Sequence, residues 1–158
     1  MRILSTEQLL NTHELFSFTN ASVFGALAEE SILWLLEQGE IRSMEHGEYL
    51  FVKGQPGNSF HVILQGQVSY YKYHNGKYAY IREYCIGEQI GFMSLIALHD
   101  RVGRAECHNN TIALEIDSSL FQAFHNQYPR EFGILMINLA REMARSLRSV
   151  DNLLVEKS

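Results

Sequence analysis

The side chains best equipped for chemistry in this chain are seven histidines: His13, His46, His61, His74, His99, His108 and His125. Imidazoles share a metal when strand or helix geometry puts them on one face, as in HxH, HxxxH or HExxH, and none of those spacings occurs. The two cysteines, Cys85 and Cys107, form no CxxC pair, which fits a reduced, cytoplasmic protein better than a disulfide scaffold or a zinc site. There is no GxSxG nucleophile elbow, no GxxxxGK[ST] phosphate loop and no cysteine beside an obvious base. The carboxylates are scattered. No catalytic and no metal-ligating residue is therefore expected, and a binding or sensing module fits better than an enzyme.

Charge narrows the partners. Eighteen acidic against thirteen basic residues in 158 give a net charge of -5 at pH 7, which argues against a generic nucleic-acid binder. With 46% hydrophobic and 20% charged residues the composition is that of a folded domain. The start, Met1-Arg2-Ile3-Leu4-Ser5-Thr6-Glu7, has no apolar leader, and no run approaches the ~20 apolar residues of a membrane span. Secretion and membrane insertion are not expected.

The elements that would position a site follow from glycine and from periodicity. Eight of the 11 glycines (Gly47, Gly54, Gly57, Gly66, Gly76, Gly87, Gly91 and Gly103) fall in the middle third, among short β-prone runs. That is the mark of an all-β sandwich or barrel with many tight turns. The runs are Tyr49–Lys53, Phe60–Leu64 ending at Gln65-Gly66, Val68–Tyr73, Tyr78–Tyr84 and Thr111–Ile116. Asn75-Gly76 signals a two-residue hairpin in which Tyr73 faces Tyr78 and Tyr71 faces Tyr80. Those tyrosines are either cross-strand pairs or an exposed surface for a partner. Before the β region, Ser5 and Gln8 form a capping box, and a helix spans Ala28 to Gln38 with Glu29 and Glu30 at its start and Gly39 at its end. Trp34 reads as a core anchor. After it, Asp117 or Ser118 caps a short helix through Phe124, and Pro129 opens a long one.

That last helix carries Phe132, Met136, Leu139, Met143, Leu147, Val150 and Leu154, close to a heptad seam over three repeats. At 1.5 Å per residue it is about 35–40 Å long, so its second half outruns a small barrel. A homodimer through this helix is expected, and Arg141, Arg145 and Arg148 read as a solvated face.

The glycine spacing is specific. Gly47-Glu48-x-Leu50-Phe51-x-x-Gly54-x-Pro56-Gly57-Asn58-Ser59-Phe60-x-Val62-Ile63-x-x-Gly66-x-Val68, then Gly87-Glu88-x-Ile90-Gly91, resembles the cyclic-nucleotide-binding domain family. That module is shared by the catabolite activator protein and the regulatory subunit of cAMP-dependent protein kinase. The resemblance runs from about residue 20 to 155 and includes Val23-Phe24-Gly25-Ala26-Leu27, which matches the family's entry to its second helix. It implies a mainly β fold, a double-stranded β-helix (jelly roll) of about eight strands, in a single domain over 1–158. N-terminal helices would occupy 1–38, the jelly roll 39–117, and C-terminal helices 118–156.

The family's phosphate-binding cassette is a short helix opened by Gly-Glu, followed by Arg and then Ser or Thr. Helix-start amides and the arginine take the cyclic phosphate, while the glutamate accepts from the ribose 2′-hydroxyl. Carried onto this chain, Gly91 is the cassette glycine and Phe92 stands where the ribose glutamate belongs. Met93-Ser94-Leu95 keeps the apolar, small, apolar order, Arg101 is the phosphate arginine, and Val102 replaces the hydroxyl residue. Arg104 is a second candidate for the arginine. The resemblance thus implies a cyclic-nucleotide-binding-like sensor for cAMP or another small anion, signalling through movement of the C-terminal helix. The alternative is a degenerate, dimeric protein-interaction module that binds no nucleotide. A helix-turn-helix segment and the cysteine cluster of oxygen-sensing relatives have no counterpart in the sequence.

Overall fold

In the computed structural model, which describes residues 1–20 and 22–158, Asn75 and Gly76 both take positive φ (50° and 84°), the backbone a tight two-residue hairpin loop requires. The loop joins β4 (Ser59–His74) to β5 (Lys77–Tyr84). Tyr73 pairs with Tyr78 and Tyr71 with Tyr80, as the spacing predicts, with edge-to-face rings 5.2 and 5.7 Å apart.

The remaining strands are β1 (Arg2–Leu4), β2 (Glu40–Met44), β3 (Tyr49–Phe51), β6 (Gln89–Ile90) and β7 (Gly103–Asp117). All pairings are antiparallel, in the order β1-β2-β7-β4-β5, with β3 added to β7 and β6 to β4. The architecture is the expected jelly roll, with seven strands among the described residues. The count falls below eight because two strands are longer than their apolar runs. β4 continues through Gly66, where the sequence suggested a break, and the ladder absorbs the glycine as register shifts between Ile63 and Gln67. β7 begins at Gly103 and not at Thr111, passing through Asn109 at φ 57°. Such irregularities bend a strand without ending it. β1 precedes the N-terminal helices and edges the sheet through β2, a pairing that its three residues did not advertise.

Helices cover one side: α1 (Thr6–Leu10), α2 (Leu15–Phe18), α3 (Glu29–Gln38), α4 (Phe92–Ala97), α5 (Ser118–Gln127) and α6 (Pro129–Glu156). The capping box forms, with the Ser5 hydroxyl accepting from Gln8 N–H and the Gln8 side chain accepting from Ser5 N–H. Asp117 caps α5 by accepting from Leu120 N–H at 2.8 Å, and α5 runs one turn beyond Phe124. Pro129 sits in the first turn of α6.

Strand alternation divides the core in two. Phe60, Val62, Leu64, Leu114 and Ile116 face the helices and pack with Phe24, Ile32, Leu35, Phe124, Leu135 and Leu139. The intervening residues face inward, where Ile63 and Ala113 join Met44, Leu50, Phe51, Val68, Ile90, Ala105 and Cys107. Trp34 is half-buried at the edge of the first core, stacked on Phe124 and edge-on to Tyr128.

Candidate functional site

His61 and Glu115 interrupt the inward-facing apolar surface. They are direct cross-strand partners on β4 and β7, so their side chains leave the same face of the sheet. With Arg42 from β2, Arg101 before β7, Phe51, Ser59 at the start of β4, and Gln55, Pro56 and Asn58 from the β3–β4 connection, they line a cleft of about 240 Å³.

The backbone of Arg101 is pinned to that connection at both ends, its N–H donating to Gln55 O and its carbonyl accepting from Gly54 N–H, each 2.9 Å. The side chain turns inward and is only 3% exposed. Nη1 donates to the Gly91 carbonyl at 2.9 Å; Nη2 donates to the Ser59 carbonyl at 2.6 Å and to its hydroxyl at 3.0 Å. The guanidinium carbon lies 4.3 Å from the centre of the Phe51 ring, a cation–π contact. Gly91 has φ 102°, and a Cβ there would come within 2.6 Å of Arg101 Nη1. Only glycine allows both the turn into α4 and this approach.

Glu115 is the hub. Its carboxylate accepts from Arg42 Nη2 and from the Ser59 hydroxyl, both at 3.1 Å, and His61 Nε2 lies 3.1 Å away without hydrogen-bond alignment. Neighbouring His61, against the opposing effect of burial, holds the carboxyl down at about 2, with Arg42 and Ser59 contributing. Burial pushes the His61 imidazole below its ordinary value, so the ring is neutral near pH 7. Burial also lowers the Arg101 guanidinium, opposed by Glu115. Arg101 Nε and both His61 nitrogens have no hydrogen-bond partner among the described residues.

Of the cassette residues singled out in the sequence, the structure brings only Arg101 to the cleft wall, with Gly91 behind it. Phe92 is 1% exposed and turns into the helical core, edge-to-face with Phe60 at 5.3 Å and Phe121 at 5.7 Å. Its N–H donates to the Gln89 side chain at 3.1 Å, so that amide is already engaged. Met93 is exposed and Ser94 is buried beneath α4. The Val102 carbonyl accepts from Tyr73 N–H. Arg104 sits over the Tyr78 ring at 4.1 Å, between Tyr49 and Tyr71, and does not line the cleft. Sequence reasoning missed Arg42, Ser59, His61 and Glu115; the available signal was a polar residue at alternate positions of two apolar runs.

A larger hollow of about 710 Å³ lies between α1 and β2, but its charged lining residues, Arg2 and Glu45, are exposed. Among the described residues no cluster of histidine, cysteine, aspartate or glutamate could hold a metal, and no helix is long and apolar enough to cross a membrane.

Residues 41–128 match the family model for the cyclic nucleotide-binding domain, and the chain belongs to that family. The fold superimposes on a cyclic nucleotide-binding domain from Methylobacillus flagellatus with a TM-score of 0.83, at 19% identity, covering 99% of this chain and 89% of that one. It matches the catabolite activator protein of Thermus thermophilus with a TM-score of 0.72, at 26% identity, covering 85% of this chain and 62% of that one. A lysophospholipase, NTE1, of Cryptococcus neoformans var. neoformans is 21% identical over 141 residues. That match takes in 89% of this chain but only 9% of the relative's length.

A cyclic nucleotide needs an anion partner and an acceptor for its ribose. The first is present as Arg101, although two of its three nitrogens are held by backbone carbonyls. The second is absent from the helix start, because the phenyl ring of Phe92 is committed to the core. Of the cassette positions, Arg101 fits the phosphate end of such a ligand and Phe92 does not fit its sugar.

Proposed function

We propose that this chain is a regulatory sensor domain, not an enzyme, whose effector is a small anion bound in the cleft beside Arg101. The observation that carries this reading is the placement of Arg101: a buried guanidinium at a cleft wall, beside the turn into α4. A buried positive charge is costly, and the negative charge of an anion in the cleft would offset that cost. cAMP and other cyclic nucleotides are the effectors suggested by family membership.

The signal would leave through α6. Asn138 on its first half donates to the carbonyls of Val23 and Gly25 at 2.9 and 2.7 Å, and Val23 N–H donates to Gly87 O just ahead of β6. An effector that binds one arrangement of α4 and Arg101 more tightly would bias this contact, which is all that coupling requires. We further propose a homodimer through the exposed half of α6, and a reducing compartment such as the cytoplasm, consistent with the two free thiols. Nucleic acid and membrane are not among the proposed partners; the downstream protein is unidentified.

The test is a melting-temperature panel with cAMP, cGMP and unrelated nucleotides, on the wild type and Arg101→Ala. An effector at a hundred times its Kd adds about 2.7 kcal/mol to the folded state. A shift with one anion, lost in Arg101→Ala, is the expected result. The second reading, a dimeric interaction module without an effector, is favoured by Phe92 in the core and predicts no shift at millimolar ligand.

A further inference from the structure

Charge is spread unevenly along this chain. No aspartate or glutamate occurs between Glu48 and Glu83, although the net charge of the whole is -5. That stretch supplies β4 and most of β5, and cations gather at the distal end of their hairpin. Lys53 lies 4.5 Å from the centre of the Tyr73 ring. Arg104 reaches from β7 across β4 to the Tyr78 ring of β5, beside Tyr71 and Tyr49. Lys72 and Lys77 are exposed. Among the described residues none of these four cations has a carboxylate within ion-pair distance. Glu83 and Glu106 both lie opposite Ser69, further down the ladder than Tyr71. Strand alternation puts Tyr71, Tyr73, Tyr78 and Tyr80 on one face, with Arg104 and Lys53 against them, and Lys72 and Lys77 on the other.

β5 is also the last strand of the sheet, and its outer edge pairs with no strand among the described residues. The two-residue loop makes His74 and Lys77 a hydrogen-bonded pair. Lys77 and Ala79 therefore bond inward to β4, while Tyr78 and Tyr80 turn their N–H and C=O groups outward. Those groups have no other backbone partner among the described residues, and Lys77 to Ile81 are all exposed. Ile81 is an extra residue that breaks the register, since Tyr70 pairs with Arg82 and Tyr71 with Tyr80. The regular open edge is thus Lys77–Tyr80, long enough to take a short strand and too short to template a long one.

An occupant of this edge must supply main-chain donors and acceptors, and negative charge on both faces. A second copy of β5 fails the charge requirement, because it would set lysines and arginines against their own kind. A nucleic acid supplies the charge without the main-chain partners, and the net charge of the chain opposes its approach. An acidic peptide meets both demands.

We infer that the Lys77–Tyr80 edge of β5 is a docking site for an extended acidic segment of a partner protein. The segment adds a strand to the sheet, with carboxylates meeting Arg104 over the tyrosine face and Lys72 and Lys77 on the other. No ligand in the cleft is required, so this docking stands or falls separately from the effector.

The experiment measures fluorescence polarisation of a labelled peptide of about eight residues, built from Glu-Glu-Thr-Thr repeats, with the whole chain. Its controls are the Gln-Gln-Thr-Thr counterpart, the acidic peptide N-methylated at alternate residues, and oligothymidylate. The acidic peptide should bind about tenfold or more tightly than either peptide control, as expected when charge-assisted or main-chain hydrogen bonds are lost. Binding should weaken as salt is raised. Lys72→Gln with Lys77→Gln should weaken it about tenfold, and Arg104→Gln likewise. Should Arg104→Gln disturb the hairpin, the lysine pair decides, since both side chains are exposed. Equal binding of the N-methylated peptide would mean attraction by charge alone and overturns the added strand. Tighter binding of oligothymidylate than of the acidic peptide overturns the choice of partner. No binding of the acidic peptide at about 1 mM means that Lys77 merely guards the edge against pairing, and the docking site falls.

Discussion

Glu115 shows how one carboxylate can hold a cleft in shape. Three groups from two strands, β2 and β4, converge on it, and its carboxyl is held at about 2 against an ordinary value of 4.5, through His61 first and then Arg42 and Ser59. A carboxyl whose folded value is depressed binds protons less readily folded than unfolded. Its contribution is therefore fully present above about pH 4.5, and it is lost as pH falls from there towards 2. Glu115→Gln should lower stability at pH 7 by about 1–2 kcal/mol, a figure discounted for the solvent that reaches the side chain. It should also flatten the decline between pH 4.5 and 2. Urea unfolding at half-unit pH steps reads both effects, and a variant that kept the wild-type slope would show that another group controls the acid limb. Cys107 is the opposite case: burial in the roll pushes its thiol up to about 12, so it packs as a small apolar residue and has no thiolate chemistry at neutral pH.

Among elements, the junction between α6 and the sheet holds a carboxyl shifted in the opposite direction. Glu142 on α6 faces Glu88 and Arg82, with Ser22, Tyr84 and the backbone of Gln89 nearby, and its Oε1 has no partner among the described residues. Burial chiefly, with the like charge of Glu88, raises its carboxyl to about 7, against the lowering effects of Ser22, the Gln89 backbone and Arg82. Arg82 meanwhile bridges Glu88 at 2.6 Å and Ser146 of α6 at 2.8 Å. An acid raised on folding binds its proton more tightly in the folded state, so stability falls as pH climbs from 4.5 to 7 and then levels. Glu142→Gln should remove that fall and be more stable than wild type above pH 7 by about 1–2 kcal/mol. Melting temperatures of the two proteins from pH 5 to 9 make the comparison, and parallel curves would refute the assignment. These elements also show what was legible in the sequence. The hairpin, both caps and α6 are local, and each is announced by neighbours in the chain: Asn75-Gly76, Ser5 with Gln8, Asp117, Pro129. The cleft is not local. His61 meets Glu115 only because β4 and β7 share a register set by the irregularities between Ile63 and Gln67, and shifting it by one residue would turn the two side chains to opposite faces. Phe92 was legible as a lost ribose acceptor, but its direction depends on Phe60 and Phe121 being on the inner side of the helical layer, which is a tertiary fact.

At the scale of the whole molecule, α6 is two helices in one. Its first half is fixed to the domain by Leu135 and Leu139 in the core and by the two hydrogen bonds of Asn138. Beyond Met143 the same apolar stripe continues largely exposed: Leu147 and Leu154 are each 63% exposed and Val150 is 48% exposed. At 1.5 Å per residue the 28-residue helix is about 42 Å long, so roughly two further turns reach past the domain. An isolated helical extension of that length is marginal in water, and seams spaced by four and three residues are stable when they meet a second seam. The proposed partner is a second copy, which would place two clefts on either side of one paired helix, so that an effector moving the first half of α6 in either copy acts on a shared structure. Native mass spectrometry and sedimentation at tens of micromolar should find a dimer. The double variant Leu147→Glu with Leu154→Glu should weaken it by at least about a hundredfold, since each buried, unpaired carboxylate costs more than the leucine contributed. The variant's sheet should melt as a folded domain, while hydrogen exchange in residues 147–156 accelerates because those turns lose their support. A wild-type chain that sediments as a monomer, with slow exchange over the same turns, would mean that the distal helix is stable alone and the seam is not an interface.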